Sequence, residues 1–477
     1  MIPASVLAAV VAAAVVTLAP VAGAAQSDTV SLSLETAVGR AMRLGDEVRI
    51  ASAGTDIAEA QVVVARAGGL PQLRFNATQS HVMESARAQA VGQVFNQPNT
   101  YFTNLTLSQP IFQGGRVVAA SRGASRVRAA SRLEESEARD QLAFDVQWAY
   151  LQALFAARVA EIQQESYRLA GERLTLAEQM LTAGRSARYD VLRARVEQAN
   201  IEPLLIQARS DADQAQLELK RLVNLPAGQP LRLTTAIDSA MIARMVARAD
   251  AVLAVEPQQA AERRPVVQAA ELTAQARRDA ISVARADHLP TIGFTGQLGY
   301  GAFPRTGFPS ERGRLVPVPC PEGTPEERIC TQQNGGWFPD RSLGITVSWP
   351  IFQGMRTRGN VALARAQADL AQLQLAQTRE RATIEFARAR DELARARAVY
   401  EARRETVNEA EEAFRLASLR FTRGLATQLE VSDAQLALTS AQTTEARARY
   451  DLYLAAAAVA RAAGQPPVPD ETFLRPQ

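Results

Sequence analysis

Two near-identical segments decide the fold of this chain: Ser108-Gln109-Pro110-Ile111-Phe112-Gln113-Gly114 and Ser348-Trp349-Pro350-Ile351-Phe352-Gln353-Gly354. Their offset of 240 residues (350 − 110) continues downstream, where Gly184 matches Gly424 and Asp190 matches Glu430. Upstream the offset is 219 residues (290 − 71), because a loop between residues 303 and 339 lengthens the second half. A repeat that occurs twice predicts two similar halves rather than a solenoid, which needs three or more units.

Each half is predicted to contain the same elements in the same order: a helix, a β-hairpin, a long helix and a shorter return helix. The first repeat spans residues 25–262, with helix Glu35–Ala67, hairpin 71–112, long helix 114–181, return helix 189–223 and a linker at 225–262. The second repeat spans residues 263–464, with a helix from Pro265, hairpin 290–352, long helix 354–421 and return helix 429–463. Residues 465–477 form a C-terminal tail.

The hairpins are predicted from alternation, since every second residue is apolar in segments such as Leu73–Ala77 and Leu343–Val347. Strands of ~9 to 12 residues can cross a bilayer when they are tilted. A half-buried soluble sheet has the same alternation, so the pattern alone leaves both possibilities open. Pro110 and Pro350 are predicted to end their strands because proline has no N–H, and Gly114 and Gly354 to ease the chain into a helix.

The long helices are predicted from the absence of proline through Gly114–Leu181 and Gly354–Phe421. At 1.5 Å per residue, each would reach ~100 Å, so it needs packing partners along its whole length. Pro203 is predicted to kink or interrupt the first return helix. The last helix shows heptad spacing at Val431, Ala434, Leu438, Ala441, Glu445, Ala448, Leu452, Ala455 and Val459. An ordinary antiparallel coiled coil would account for this seam equally well.

Residues 1–24 are predicted to be an export signal, because an apolar run precedes Ala22-Gly23-Ala24, a small-x-small cleavage pattern. The alternative is a membrane anchor, for which the run is short against the ~20 residues of a spanning helix. Export would allow Cys320 and Cys330 to form a disulfide, with two free thiols as the alternative.

Composition argues against several classes of function. The charges nearly balance, with 53 Lys and Arg against 50 Asp and Glu, and no basic block is present, so no nucleic-acid partner is expected. The two histidines lie far apart in sequence. Phosphate-loop, nucleophile-elbow and paired-histidine motifs are absent from the sequence, so we expect neither an enzyme nor a cofactor.

Strand number predicts an oligomer. Four membrane strands cannot enclose a water-filled interior, and open strand edges are not tolerated in lipid. Three copies would supply 12 strands. The expected fold is therefore a mixed membrane β-barrel plus long α-helical barrel: an internally duplicated protomer gives four transmembrane strands to a trimeric 12-stranded barrel above a coiled-coil tunnel.

The order of the signal segment, duplicated halves, strand–helix junctions and Gly-turn-acid motifs resembles the TolC-like outer-membrane efflux factors. The resemblance covers nearly the whole mature chain. It implies a homotrimeric channel in lipid of the cell outer membrane, with its helical tunnel in the periplasm. It further implies that a periplasmic adaptor (membrane fusion) protein and an inner-membrane transporter are partners, in efflux or type I secretion.

The resemblance also implies roles for the two helical turns. By position, the adaptor-contact residues are Gly184, Gly424, Leu425, Ala426 and Thr427; for the two glycines, helix capping is an equally good explanation. The periplasmic aperture would be narrowed by Asp190, Glu430 and Asp433. Ala426 stands where the family has an arginine latch, which leaves Arg185, Arg188 or Arg423 to replace it. Carboxylates at helix N-termini are the alternative explanation of the three acids.

A rival function from another class is an exported periplasmic coiled-coil scaffold or adhesin without a pore. It would share the long helices, but it has no need for four strands of membrane length. Fractionation separates the two, since a barrel stays with outer membranes during carbonate extraction.

Overall fold

The computed structural model describes residues 29–84, 86, 98–304, 306–320 and 329–466. The predicted export signal lies outside the described residues, as does the predicted tail apart from residues 465 and 466. Within the described ranges, no helix combines the length and apolar character needed to cross a membrane.

Helices and strands follow the predicted order in both halves. The helices are α1 (Leu34–Leu44), α2 (Asp46–Ala67), α3 (Arg116–Thr182), α4 (Arg188–Leu222), α5 (Ser239–Leu253), α6 (Pro257–Arg263), α7 (Pro265–Arg285), α8 (Arg356–Arg403), α9 (Thr406–Thr422) and α10 (Gln428–Ala462). The strands are β1 (Val30–Leu32), β2 (Gln72–His81), β3 (Asn99–Gln113), β4 (Leu231–Leu233), β5 (Thr291–Ala302), β6 (Leu315–Pro317), β7 (Thr331–Gln333) and β8 (Trp337–Ser348).

The hairpins of the two halves join in one antiparallel sheet with the strand order β2-β3-β5-β8. Residues that pair across strands share a face, and one face is mostly apolar. Its apolar members are Leu73, Phe75, Ala77, Leu105, Leu107, Phe112, Ile292, Phe294, Leu298, Tyr300, Leu343, Ile345 and Val347. The other face is mostly polar, with Arg74, Asn76, Thr106, Gln297 and Ser342 among its members.

The two junction prolines differ. Pro350 lies beyond the end of β8, as predicted, but Pro110 does not end β3, so that prediction was wrong. β3 continues to Gln113 through a bulge between Pro110 and Phe112, after which Phe112 pairs with Ile292. A bulge interrupts the ladder of hydrogen bonds locally, so the strand tolerates the missing N–H of Pro110. Gly114 and Gly354 then have φ of 60° and 58°, the left-handed conformation that glycine adopts without strain.

The shaft is more interrupted than the sequence predicted. The first long helix, α3, is continuous, but its counterpart stops at Arg403 and resumes at Thr406. There the Thr406 hydroxyl donates to the Ala402 carbonyl (3.2 Å), a contact that bends helices. The predicted helix Glu35–Ala67 breaks at Gly45, where a Cβ would lie 2.7 Å from Cδ2 of Leu142. α4 continues through Pro203, so Pro203 does not interrupt the helix, and the alternative of a kink at this position stays a prediction.

The main core lies where α1, α3, α5, α8 and α10 meet. Its largest buried side chains are Tyr150, Phe386 and Tyr453. The Tyr150 hydroxyl donates to the Leu32 carbonyl (2.9 Å) and accepts from the Thr235 N–H (3.0 Å). These bonds fix the parallel pair β1–β4, which the sequence did not predict. The predicted linker 225–262 therefore contains a strand and two helices that cover the core.

Candidate functional site: the paired helical turns

The two turns that end the long helices have the same backbone geometry. Gly184 and Gly424 have φ of 69° and 74°. The N–H of Arg185 donates to the Met180 carbonyl and that of Leu425 to the Arg420 carbonyl, each at 2.8 Å. This is the Schellman cap of a helix C-terminus, which requires a left-handed residue. Both glycines thus have a capping role, which leaves room for a partner on the exposed side of each turn.

The acid that follows each turn caps the next helix. Asp190 Oδ2 accepts hydrogen bonds from the Ala187 N–H (3.1 Å) and the Ser186 hydroxyl (2.8 Å). Glu430 Oε1 accepts from the Thr427 N–H and hydroxyl, both at 3.2 Å. Each carboxylate therefore satisfies a free donor at a helix N-terminus and faces the positive end of the helix dipole.

The arginine that pairs with a predicted aperture acid is Arg420, which sequence reasoning missed. Its guanidinium lies 3.8 Å from Glu430 Oε2 and donates to the Leu425 carbonyl (3.3 Å). Among the described residues, none of Arg185, Arg188 and Arg423 forms an ion pair with a predicted aperture acid. The pairing follows from the fold of the turn, since Arg420 lies one helical turn before Gly424.

The turns of the two halves lie side by side. A cavity of about 320 Å³ is lined from both, by Met180, Arg185, Asp190, Phe421, Gly424, Ala426 and Thr427 among others. The structure therefore brings most of the predicted tip residues together at one end of the shaft. Leu425 is exposed and accessible to a partner.

Asp433 lies one helical turn beyond Glu430 and lines a different cavity, of about 420 Å³, with Arg193, Glu197, Ser432 and Gln435 among the other lining residues. This cavity lies between the return helices α4 and α10 and the long helix α3. Asp433 is exposed. Its carboxylate is therefore near Glu430 along the helix, but faces different neighbours.

Polar contacts join the three helices around this cavity. Glu197 of α4 accepts from the Ser432 hydroxyl of α10 (2.6 Å) and from Arg173 of α3 (2.8 Å). The Gln435 amide of α10 donates to the Ser166 hydroxyl (2.9 Å) and carbonyl (3.1 Å) of α3. Burial lowers the pKa of Arg173, and the facing Glu197 carboxylate opposes that shift. Glu197 thus holds the two return helices to one long helix.

The strand–helix junctions are closely packed in the first half and open in the second. A Cβ at Gly114 would lie 2.9 Å from the Ala286 carbonyl oxygen, whereas space around Gly354 is open. Arg116 forms an ion pair with Asp287, which ties the start of α3 to the turn before β5. The close packing at Gly114 and the Arg116–Asp287 pair therefore join the sheet to the shaft in the first half.

A duplicated protomer with a four-stranded sheet above a long helical shaft is the fold of an outer-membrane channel subunit. The chain belongs to the outer membrane efflux protein family, whose model matches residues 43–225 and 257–465. The CmeC outer membrane channel of Campylobacter jejuni has a similar structure: the TM-score is 0.73 at 17% identity, over 90% of this chain and 85% of that one.

Two curated relatives are 27% and 26% identical to this chain over the matched residues. Outer membrane protein OprJ of Pseudomonas aeruginosa is 27% identical over 179 residues, which is 38% of this chain and 32% of that protein. The match thus spans about a third of that relative's length. Pyoverdine export outer membrane protein OpmQ of Pseudomonas putida is 26% identical over 425 residues, covering 88% of this chain and 83% of the relative.

Proposed function

We propose that three copies of this chain form an outer-membrane channel that serves as the exit duct of a tripartite efflux pump. The duct conducts substrates passively, since the energy comes from an inner-membrane transporter. A periplasmic adaptor connects that transporter to the helical end of the channel. Family membership and the similarity to an outer membrane channel support this proposal.

The observation that carries the proposal is the sheet. It has a mostly apolar face and a mostly polar face, and among the described residues no other strand pairs with the outer edge of β2 or β8. Phe75 and Leu343 on the apolar face are 67% and 77% exposed in the single chain, so this face needs an apolar environment. Lipid can cover the apolar face, and sister copies can pair the open edges.

The paired turns are proposed as the periplasmic aperture and the adaptor site. Three copies would place three Glu430 and three Asp433 carboxylates around one axis, a ring of negative charge that favours cations. Opening would require the return helices to move outward. That motion breaks the Arg420–Glu430 pair and the Glu197 contacts, which support a closed resting state. The exposed Leu425 and its neighbours Ala426 and Thr427 are proposed to contact the adaptor.

Membrane fractionation with planar-bilayer recording tests the function. We expect the protein to stay with outer membranes after carbonate extraction and the purified protein to give discrete conductance steps. A scaffold or adhesin without a pore would give no steps. Release of the protein by carbonate, together with an absence of steps, would overturn the proposal.

A further inference from the structure

The free edge of β8 is blocked at one end by the chain's own loop. The Trp337 N–H donates to the Glu311 carbonyl (3.0 Å), and the Trp337 carbonyl accepts from the Gly313 N–H (2.8 Å). Both groups of Trp337 therefore point away from β5. Because this direction alternates along an antiparallel strand, every second residue after Trp337 has the same orientation. These open-edge residues are Pro339, Arg341, Leu343, Ile345 and Val347.

The free edge of β2 has a matching set. The Val82 N–H donates to the Pro98 carbonyl (2.8 Å), so the even-numbered residues of β2 point toward β3. The residues whose backbone N–H and C=O groups point outward, away from β3, are Leu73, Phe75, Ala77, Gln79 and His81. Each edge therefore offers five residues, and both sets lie on the mostly apolar face of the sheet.

The blocking segment, Glu311–Arg314, is held firmly in place. Asn334 Oδ1 accepts from the Arg314 N–H (3.0 Å) and the Gly336 N–H (3.1 Å), and its amide donates to the Arg312 carbonyl (3.0 Å). The Trp337 indole N–H donates to the Pro309 carbonyl (2.9 Å). The β6–β7 pair and the Cys320–Cys330 disulfide close the rest of this loop. The disulfide thus constrains a loop that occupies one end of the free edge of β8.

We propose that segment Glu311–Arg314 is a register stop for pairing between copies: it prevents β2 of a second copy from pairing with Trp337. The inference rests on the proposed function, since it concerns how the copies join. With full overlap, the pairs are Leu73–Val347, Phe75–Ile345, Ala77–Leu343, Gln79–Arg341 and His81–Pro339.

All three neighbouring registers are disfavoured. A slip of one residue would place the apolar face of β2 on the opposite side of the sheet. A slip of two toward the loop sets His81 against Trp337, whose edge groups are occupied. A slip of two in the other direction leaves Leu73 beyond Ser348, where β8 ends. Apolar residues face one another in either two-residue slip, so side chains alone do not reject it.

The full-overlap register also explains two unusual edge residues. Arg341 is a charged residue on the mostly apolar face, and the register places it beside the polar Gln79 of the neighbouring copy. Pro339 has no N–H to donate, and it falls at the end of the ladder, opposite His81. Segment Glu311–Arg314, Pro339 and Arg341 are thus all consistent with the same register between copies.

Cysteine cross-linking of the full chain tests the stop. Ala77→Cys is combined with Leu343→Cys (the proposed register), with Arg341→Cys (the slip toward the loop) or with Ile345→Cys (the opposite slip). We expect oxidation to link copies at least about tenfold more in the Leu343 pair, since the alternatives exceed disulfide reach. A main product from either alternative pair overturns the register stop. No link between copies in any pair would instead overturn the proposed function.

Loop variants then test the cause. Asn334→Ala removes the three hydrogen bonds of the Asn334 side chain, and Gly313→Ala places a Cβ 2.6 Å from the Phe338 ring. Each variant therefore releases segment Glu311–Arg314 from the edge of β8. In either variant we expect the Ala77–Arg341 link to rise to within about twofold of the Ala77–Leu343 link. Gln332→Ala, an exposed position in the same loop, keeps the native preference. An unchanged preference in both releasing variants overturns the stop.

Discussion

Arg264 Nη1 lies 2.5 Å from Glu385 Oε2, although the two residues are 121 positions apart. The same guanidinium pairs with Glu137, and only 5% of the Arg264 side chain is exposed. Arg461 also pairs with Glu385. This charge cluster therefore joins the long helices of both halves to α10, the last helix, beside the main core.

Removing Arg264 should destabilise the shaft strongly. In Arg264→Met, Glu137 and Glu385 lose a buried partner, so we expect a loss of about 3 to 5 kcal/mol in unfolding free energy. Denaturation followed by circular dichroism in detergent measures it.

Arg397→Ala is the matched control. Arg397 pairs with Asp250 at 2.7 Å, but about half of each side chain is exposed. We therefore expect a loss below about 1 kcal/mol. Equal losses in the two variants would show that burial of the Arg264 cluster contributes nothing to stability.

Asp140, next to this cluster, should make stability depend on pH. Burial and the nearby Glu137 carboxylate raise the pKa of Asp140 to about 6, against the opposing effect of Arg461 and Arg264. The folded chain binds this proton more tightly than the unfolded chain, so protonation of Asp140 stabilises the fold. This stabilisation is complete below about pH 4 and is lost as the pH rises through about 6.

Asp140→Asn removes this titration. We expect the variant to exceed the parent in stability by about 1 to 3 kcal/mol more at pH 7.5 than at pH 4.5. Thermal unfolding in detergent across that range provides the comparison. A stability difference that stays the same at both pH values would show that Asp140 does not titrate in this window.

Replacing Glu430 and Asp433, two of the three predicted aperture acids, should open the proposed channel. We expect Glu430→Ala with Asp433→Ala to raise single-channel conductance by roughly twofold or more and to weaken cation preference, because the charged ring and the Arg420 pair are lost. Planar-bilayer recordings measure both. The control is Glu409→Ala with Glu411→Ala, which removes the same charge from exposed positions on α9. Conductance that does not change in the aperture variant would refute the gate.

Alanine should have opposite effects at two glycines. Gly424 has a positive φ, so Gly424→Ala is expected to cost about 1 kcal/mol in unfolding free energy. Gly359 lies inside α8 with open space around it, so Gly359→Ala should stabilise by about 0.5 to 1 kcal/mol. Chemical denaturation compares the two, and stabilisation by Gly424→Ala would argue against the strained cap.

The sequence predicted those features of the fold that depend on local signals. Alternation located the four long strands, and the glycine turns placed both return helices within one residue of their observed bounds. The described seam positions from Val431 to Val459 are buried or half-buried. These signals suffice because each is written within a few neighbouring residues.

Features set by contacts distant in sequence could not be predicted. Gly45 lies at the break between α1 and α2, where a Cβ would clash with Leu142, and the β1–β4 pair depends on Tyr150. The Arg420–Glu430 pair is local but could not be predicted either, because it forms only once the turn has folded. The candidate site was therefore predicted as a region, but its ion pair was not.

We propose that sister copies pair the open edges of the four-stranded sheet. Light scattering of the detergent-extracted protein measures the number of chains in the particle directly. We expect three chains per particle. A single chain that remains in solution without detergent would contradict it.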